Sequence, residues 1–233
     1  GPASATPWVL FSTTLPEMQA ELFADDNRIA LGPQACVLRG LALARAERLL
    51  AALADIEAGA PPRHMLTPGG FTMSAAITNC GELGWTTDRQ GYRYRSHDPQ
   101  SGLPWPPLPA VFAELAAEAA AMAGFAGFRP DACLINHYAP GARMSLHQDR
   151  NEADFGAPIV SVSLGLPAVF LFGGLRRQDR CARVPLRHGD VAVWGGADRL
   201  RFHGILPLAE GEHPVVGRQR INLTLRRAGP AVQ

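Results

Sequence analysis

The spacing of hydrophobic residues changes along this chain, from helical in the front half to strand-like in the back half. From Ala42 to Ala58, Leu49, Leu50, Leu53 and Ile56 recur at helical spacing, and Gly59 with Pro61-Pro62 stops the run. Leu108, Val111, Phe112, Leu115, Ala119 and Met122 predict a second amphipathic helix that ends near Gly124. From Ala132 onward short β-type runs take over: Cys133–Tyr138, Ile159–Leu164, Ala168–Phe172, Val191–Trp194, Leu200–His203 and Ile221–Leu225. Ala35–Arg39 predicts a further short strand. Elsewhere the period is weak. Residues 1–34 read as an N-terminal extension with little structure, its Gly1-Pro2-Ala3-Ser4 start as a trimmed tag. The stretch from about Thr67 to Trp105 reads as irregular and rich in aromatics and Arg.

Short strands separated by Gly-rich breaks such as Gly173-Gly174 and Gly195-Gly196 predict a barrel or a double-sheet jelly roll, with the two helices flanking it in an α+β arrangement. At 233 residues the chain suits one domain with a substantial core, here expected over residues 35–233. The last strand is the most regular. Arg220, Asn222, Thr224 and Arg226 share one face, and Ile221, Leu223 and Leu225 share the other. Such alternation predicts one polar, inward face and one packed face.

Composition narrows the chemistry. The net charge is +1, so the overall field says little about partners, but Lys is absent and all 22 basic residues are Arg. That excludes Schiff-base lysine chemistry and favours planar, bidentate contacts wherever an arginine sits in a site. Cys36, Cys80, Cys133 and Cys181 are widely spaced, with no C-x-x-C pair, which argues against a zinc site or a redox dithiol. Cys80 and Cys133 are expected as small core fillers. No apolar run approaches the ~20 residues of a membrane helix, and the thiols suit a reducing compartment, so the expected location is cytoplasmic; the lack of an obvious interaction segment favours a monomer.

The chemistry-bearing pattern is His147-Gln148-Asp149 followed by a distal histidine. In an extended strand His147 and Asp149 point the same way and Gln148 points opposite. Two imidazoles and one carboxylate leave three positions open on an octahedral metal. Non-haem Fe(II) oxygenases use that set because dioxygen and a chelating co-substrate must both reach the iron. Of the distal candidates, His188 precedes a turn at Gly189-Asp190 and His213 lies in a loop around Gly211. His203 ends a short strand and precedes Gly204, where the backbone can bend around a metal, so His203 is the expected third ligand. A dicarboxylate buried beside the metal would need cationic, bidentate partners. Arg220 and Arg226 are on the right face, although six positions of extended strand span roughly 20 Å at ~3.3 Å per residue.

Several segments carry a family resemblance. Asn136-His137-Tyr138-Ala139-Pro140-Gly141 leads into Ser145-Leu146-His147-Gln148-Asp149, followed by Ile159–Gly165, His188-Gly189-Asp190-Val191, Phe202-His203-Gly204-Ile205 and the Arg220–Arg226 strand. Thr67-Pro68-Gly69-Gly70, Thr78-Asn79-Cys80-Gly81 and Leu83–Thr87 lie outside any metal core and match as well. Together they resemble the AlkB family of Fe(II)- and 2-oxoglutarate-dependent nucleic-acid dealkylases, over about Met65 to Arg226. The resemblance implies a double-stranded β-helix (jelly-roll) core with an N-terminal nucleotide-recognition lid at about residues 65–107. It implies Fe(II) on His147, Asp149 and His203, and 2-oxoglutarate, with O2 as the second co-substrate, held by Asn136, Tyr138, Arg220, Asn222 and Arg226.

It further implies oxidative dealkylation of 1-methyladenine, 3-methylcytosine or etheno-type lesions, releasing formaldehyde, succinate and carbon dioxide in direct-reversal DNA repair. Trp85, Tyr92, Arg93, Tyr94, Asn151 and Arg177 are placed at the substrate. Alternating aromatics and arginines from Trp85 to Arg95 suit stacking on bases plus phosphate contact, with alkylated DNA as a single strand or a flipped base, and RNA as a second candidate polymer. Well-studied bacterial members carry Asp at position 151. The neutral Asn151 here predicts weaker discrimination for cationic lesions and broader acceptance of etheno or keto bases. The competing readings are a small-molecule hydroxylase or protein demethylase on the same fold, or a non-catalytic lesion-binding protein.

Overall fold

The computed structural model describes residues 27–230. The Gly1–Ser4 start and the extension as far as residue 26 lie outside the described residues. Its remaining part is not featureless: Arg28–Gly32 forms β1, an edge strand paired with β2 (Ala35–Leu38). Its residues are exposed or half-buried, and a solvent-facing edge strand leaves no hydrophobic alternation to read.

The remaining strands are β3 (Ala76–Gly81), β4 (Gly84–Asp88), β5 (Gly91–Arg95), β6 (Ala132–Tyr138), β7 (Met144–His147), β8 (Ile159–Gly165), β9 (Ala168–Phe172), β10 (Ala182–Leu186), β11 (Val191–Trp194), β12 (His203–Ile205) and β13 (Arg220–Arg226). Helices α1 (Ala46–Gly59) and α2 (Ala110–Met122) occupy the two predicted stretches. A large sheet runs β1-β2-β11-β8-β13-β6-β3, a smaller one β10-β9-β12-β7, and β4-β5 stands apart as a hairpin. Every pairing in these sheets is antiparallel. This is the expected jelly-roll layout. No described helix is long and apolar enough to cross a membrane.

Two cores explain the layers. Leu49, Leu53 and Ile56 of α1 and Phe112, Leu115 and Ala119 of α2 pack against Val160, Val162, Leu223 and Leu225 on the outer face of the large sheet. Ile159, Phe170, Phe172, Trp194 and Ile205 fill the space between the sheets. Cys80 and Cys133 face each other across β3 and β6, buried, as fillers do. In β13 the odd residues join the helix-side core while Arg220, Asn222, Thr224 and Arg226 are buried on the inner face. Its centre therefore reads as predicted.

The stretch expected to be irregular holds three strands. β3 belongs to the large sheet, so only the β4–β5 part of residues 65–107 forms a separate hairpin. The strand expected at Leu200–His203 starts at His203 instead, because Leu200 closes a turn after the short 3-10 helix Gly196–Asp198. β10 escaped notice because Pro185 interrupts it. It lies at the edge of the smaller sheet, where a strand tolerates a missing N–H.

α1 is also tied to the sheet by a polar contact. His137 Nδ1 donates to Gln219 Oε1 at 2.9 Å, and its Nε2 donates to Glu57 on α1. Burial pushes the His137 pKa down, but the bonds to Glu57 and Gln219 outweigh it and the net shift is upward. The contact therefore contributes fully below the unfolded value of about 6.5 and is lost as pH rises through the higher folded value. Glu57→Gln should cost about 1–2 kcal/mol at pH 6, with the deficit shrinking above pH 8. Denaturant unfolding of both proteins at the two pH values checks this.

Candidate active site

β7 and β12 run side by side with His147 opposite His203, their ring centroids 4.3 Å apart. Gly204 allows the approach. A Cβ there would stand 2.7 Å from the Met144 carbonyl oxygen and 3.2 Å from the Leu146 amide nitrogen. The glycine expected to let the backbone bend around a metal instead lets two strands close up. β7 ends at His147, and in the next two residues Gln148 turns away, donating to the Leu200 carbonyl, while Asp149 turns in. Asp149 Oδ1 lies 3.4 Å from Nε2 of each histidine, and the three ligand atoms lie within 4.8 Å of one another.

The protonation pattern suits a cation. His147 Nδ1 is 2.8 Å from the Ser145 carbonyl and His203 Nδ1 is 3.1 Å from that of Arg201. A carbonyl can only accept, so each Nδ1 carries a proton and each Nε2 is turned toward Asp149, where a shared cation would sit. Burial, with the neighbouring His147, pushes the His203 pKa down despite Asp149 and keeps that ring neutral. Burial alone would favour protonated Asp149, but the Arg226 guanidinium outweighs it and holds the carboxyl well below its usual range. Arg226 Nε and Nη2 both reach Asp149 Oδ2 at 2.8 Å, which leaves Oδ1 for a metal.

At the other end of β13, Arg220 is 1% exposed, and its guanidinium lies over the Tyr138 ring, 5.2 Å from the centroid. Nη2 donates to Ser163 Oγ, but Nε and Nη1 have no partner among the described residues, and neither does Asn136 Oδ1. Native interiors rarely leave such groups unpaired. Tyr138 shares a buried cluster with Trp194, Phe170 and Ile205, and the Trp194 ring is 4.9 Å from His203. The unpaired guanidinium therefore faces the interior that holds the metal ligands. A carboxylate-bearing chelator fits it, and a two-nitrogen, one-oxygen ligand set with open positions fits Fe(II).

The 2OG-Fe(II) oxygenase superfamily model matches residues 34–226. The alpha-ketoglutarate-dependent dioxygenase AlkB of Salmonella typhimurium is 57% identical over 210 residues, covering 89% of this chain and 97% of that protein. This chain belongs to the AlkB family. It is an Fe(II)- and 2-oxoglutarate-dependent dioxygenase, with O2 as the oxidant. A solved structure of the protein named OsALKBH1 superposes with a TM-score of 0.75 at 25% identity, covering 86% of this chain and 99% of that one. Human nucleic acid dioxygenase ALKBH1 is 34% identical over 135 residues, 56% of this chain and 34% of its own.

Around this AlkB-family core the other anticipated residues divide. Trp85 and Tyr92 lie on one face of the β4–β5 hairpin and stack at 5.5 Å with 19° between planes. Trp85 Nε1 donates to Asn151 Oδ1 at 3.2 Å. Tyr94, on the same face, donates through its hydroxyl to Glu152 Oε2 at 2.8 Å and lies 3.4 Å from Arg226 Nη1. Arg93 points the other way and pairs with Asp88 at 2.6 and 2.9 Å, so it is not brought to the site. Arg177 Nη1 donates to the Leu146 carbonyl and its guanidinium covers the Phe202 ring, beside both histidine strands. Of the two arginines expected at 2-oxoglutarate, Arg226 is paired with Asp149 and Arg220 keeps unpaired N–H groups. His188 is no ligand; its Nδ1 accepts from the Gly165 amide.

Two residues were missed. Arg199 and Glu152 form a buried ion pair at 2.7 Å, and Arg199 Nη1 also donates to the Asp149 carbonyl at 2.8 Å. They fix the backbone that carries Asp149 and Asn151. Both sit in aperiodic loops, and the only available signal was two charges of opposite sign near the metal motif.

Proposed function

We propose that this chain oxidatively removes N-alkyl groups from bases in DNA, acting on a single strand or on a base flipped out of a duplex. The observation that carries this reading is the aromatic hairpin. Its stacked Trp85–Tyr92 pair is tethered to Asn151, two residues from metal ligand Asp149, so a flat π surface stands at the mouth of the centre. A hydroxylase of small aliphatic metabolites has no use for that surface. The name of the human relative, nucleic acid dioxygenase ALKBH1, agrees with a nucleic-acid substrate.

In this reading His147, Asp149 and His203 hold Fe(II). Arg220, with Tyr138, Asn136 and Asn222, holds 2-oxoglutarate, and Arg226 holds Asp149 in place. When bound, iron with 2-oxoglutarate and O2 supplies the oxidant that hydroxylates the N-alkyl carbon, after which the hydroxyalkyl group leaves as formaldehyde and the base is restored. The residues of the chain position and shield. Arg226 keeps Asp149 charged and single-faced, Trp85 supports the extruded base, and the packed Phe170–Trp194 layer keeps water from the buried side of His203.

The test is mass spectrometry of oligonucleotides carrying single N-alkyl lesions after incubation with iron, ascorbate and 2-oxoglutarate. Loss of the alkyl mass with stoichiometric succinate is expected. Succinate formation driven by a free methylated metabolite or a methylated peptide, with every oligonucleotide left intact, would overturn the reading.

A further inference from the structure

We propose that Trp85 locks the Asn151 amide in one orientation, with its NH2 group free for the bound base, so that the pocket selects alkylated bases presenting a keto oxygen. The substrates it favours are then 3-methylthymine and 1-methylguanine, over the amino-bearing cations 3-methylcytosine and 1-methyladenine. This rests on the dealkylation reading above and specifies its substrate class.

The orientation follows from the chemistry of the pair. An indole N–H can only donate, so the group it meets at 3.2 Å must be the amide oxygen of Asn151. Asn151 Nδ2 makes no hydrogen bond among the described residues, and the side chain is exposed at the mouth of the centre. Neither partner is free to drift. The indole is stacked on Tyr92, and the loop on either side of Asn151 is held, through the Asp149 carbonyl by Arg199 and through the Glu152 carboxylate by both Arg199 and Tyr94. Tyr94 is the cross-strand partner of Trp85, so hairpin and loop are joined at two points.

An Asp in this position would accept the same indole N–H with one oxygen and offer the other, with a negative charge, to an exocyclic amine. Asn151 offers donors and no charge. Set against the amino group of 3-methylcytosine or 1-methyladenine, donor faces donor and both are left unpaired. Set against O4 of 3-methylthymine or O6 of 1-methylguanine, the NH2 makes a bond. One matched hydrogen bond in place of one mismatch is worth about tenfold in specificity.

The experiment uses the whole protein and single-stranded oligonucleotides identical except for 3-methylthymine or 3-methylcytosine. kcat/KM is measured with iron, ascorbate and 2-oxoglutarate, and Kd by fluorescence anisotropy without iron. Wild type should favour 3-methylthymine, Asn151→Asp should move the ratio about tenfold toward 3-methylcytosine, and Trp85→Phe, which keeps a ring but frees the amide to rotate, should bring the ratio toward one. A wild-type preference for 3-methylcytosine, or ratios unmoved by both variants, would overturn the proposal. Failure of the dealkylation reading shows differently, as no turnover of any lesion, and the iron-free Kd ratios then still decide the role of Asn151.

Discussion

Asp149→Ala is expected to reduce 2-oxoglutarate turnover by more than about a thousandfold, because it removes the only carboxylate ligand of the iron. It should also destabilise the iron-free protein by about 3–5 kcal/mol. The second effect has a separate cause. Arg226 is buried and spends two N–H groups on Asp149 Oδ2, so the substitution leaves a cation in the interior whose one remaining hydrogen bond among the described residues is a long one to the Tyr94 hydroxyl. The two roles separate in a double variant. Adding Arg226→Met to Asp149→Ala removes the stranded charge and should restore most of the lost stability while restoring no activity. Urea unfolding in the presence of a chelator reads the first quantity, and succinate formation the second. A double variant no more stable than Asp149→Ala would show that Arg226 has another buried partner.

The sequence showed this site unevenly, and the unevenness has physical causes. β13 was legible because a strand with one face in a helix-packed core and the other in a polar interior must alternate strictly, and Arg220 to Arg226 do. The metal ligands were legible because His-x-Asp and a distal His need only local geometry, and the structure brings them together. What could not be read was pairing. β5 carries Tyr92 and Tyr94 on one face and Arg93 and Arg95 on the other, yet composition alone made both sets look substrate-facing. Only the hairpin register shows that Arg93 and Arg95 turn to Asp88. Arg199 and Glu152 meet across 47 positions of chain, and no local pattern announces such a pair. Arg220 and Arg226 were both expected at 2-oxoglutarate, and what the strand pattern could not show is their present pairing: Arg226 grips Asp149, and Arg220 keeps two N–H groups unpaired.

Those unpaired groups set the second large effect. Arg220→Met is expected to raise the KM for 2-oxoglutarate about a hundredfold, with iron affinity unchanged, because the buried guanidinium is the one cation on the inner face of β13 not already committed to a protein carboxylate. Its effect on stability should be opposite in sign to that of Asp149→Ala. Without co-substrate, wild type holds a buried charge whose pKa is lowered by desolvation and two of whose N–H directions are empty, an arrangement that costs free energy until an anion arrives. A methionine of similar length removes that cost, so the iron-free variant should unfold about 1 kcal/mol later than wild type in urea. Adding 2-oxoglutarate should then stabilise wild type and leave the variant where it was. If 2-oxoglutarate stabilises both proteins equally, Arg220 is not its anchor, and the unpaired N–H groups serve some other anion. The pair of variants thus sorts the inner arginines by what each lacks: Arg226 is already paired with Asp149, whereas Arg220 still has donors to give.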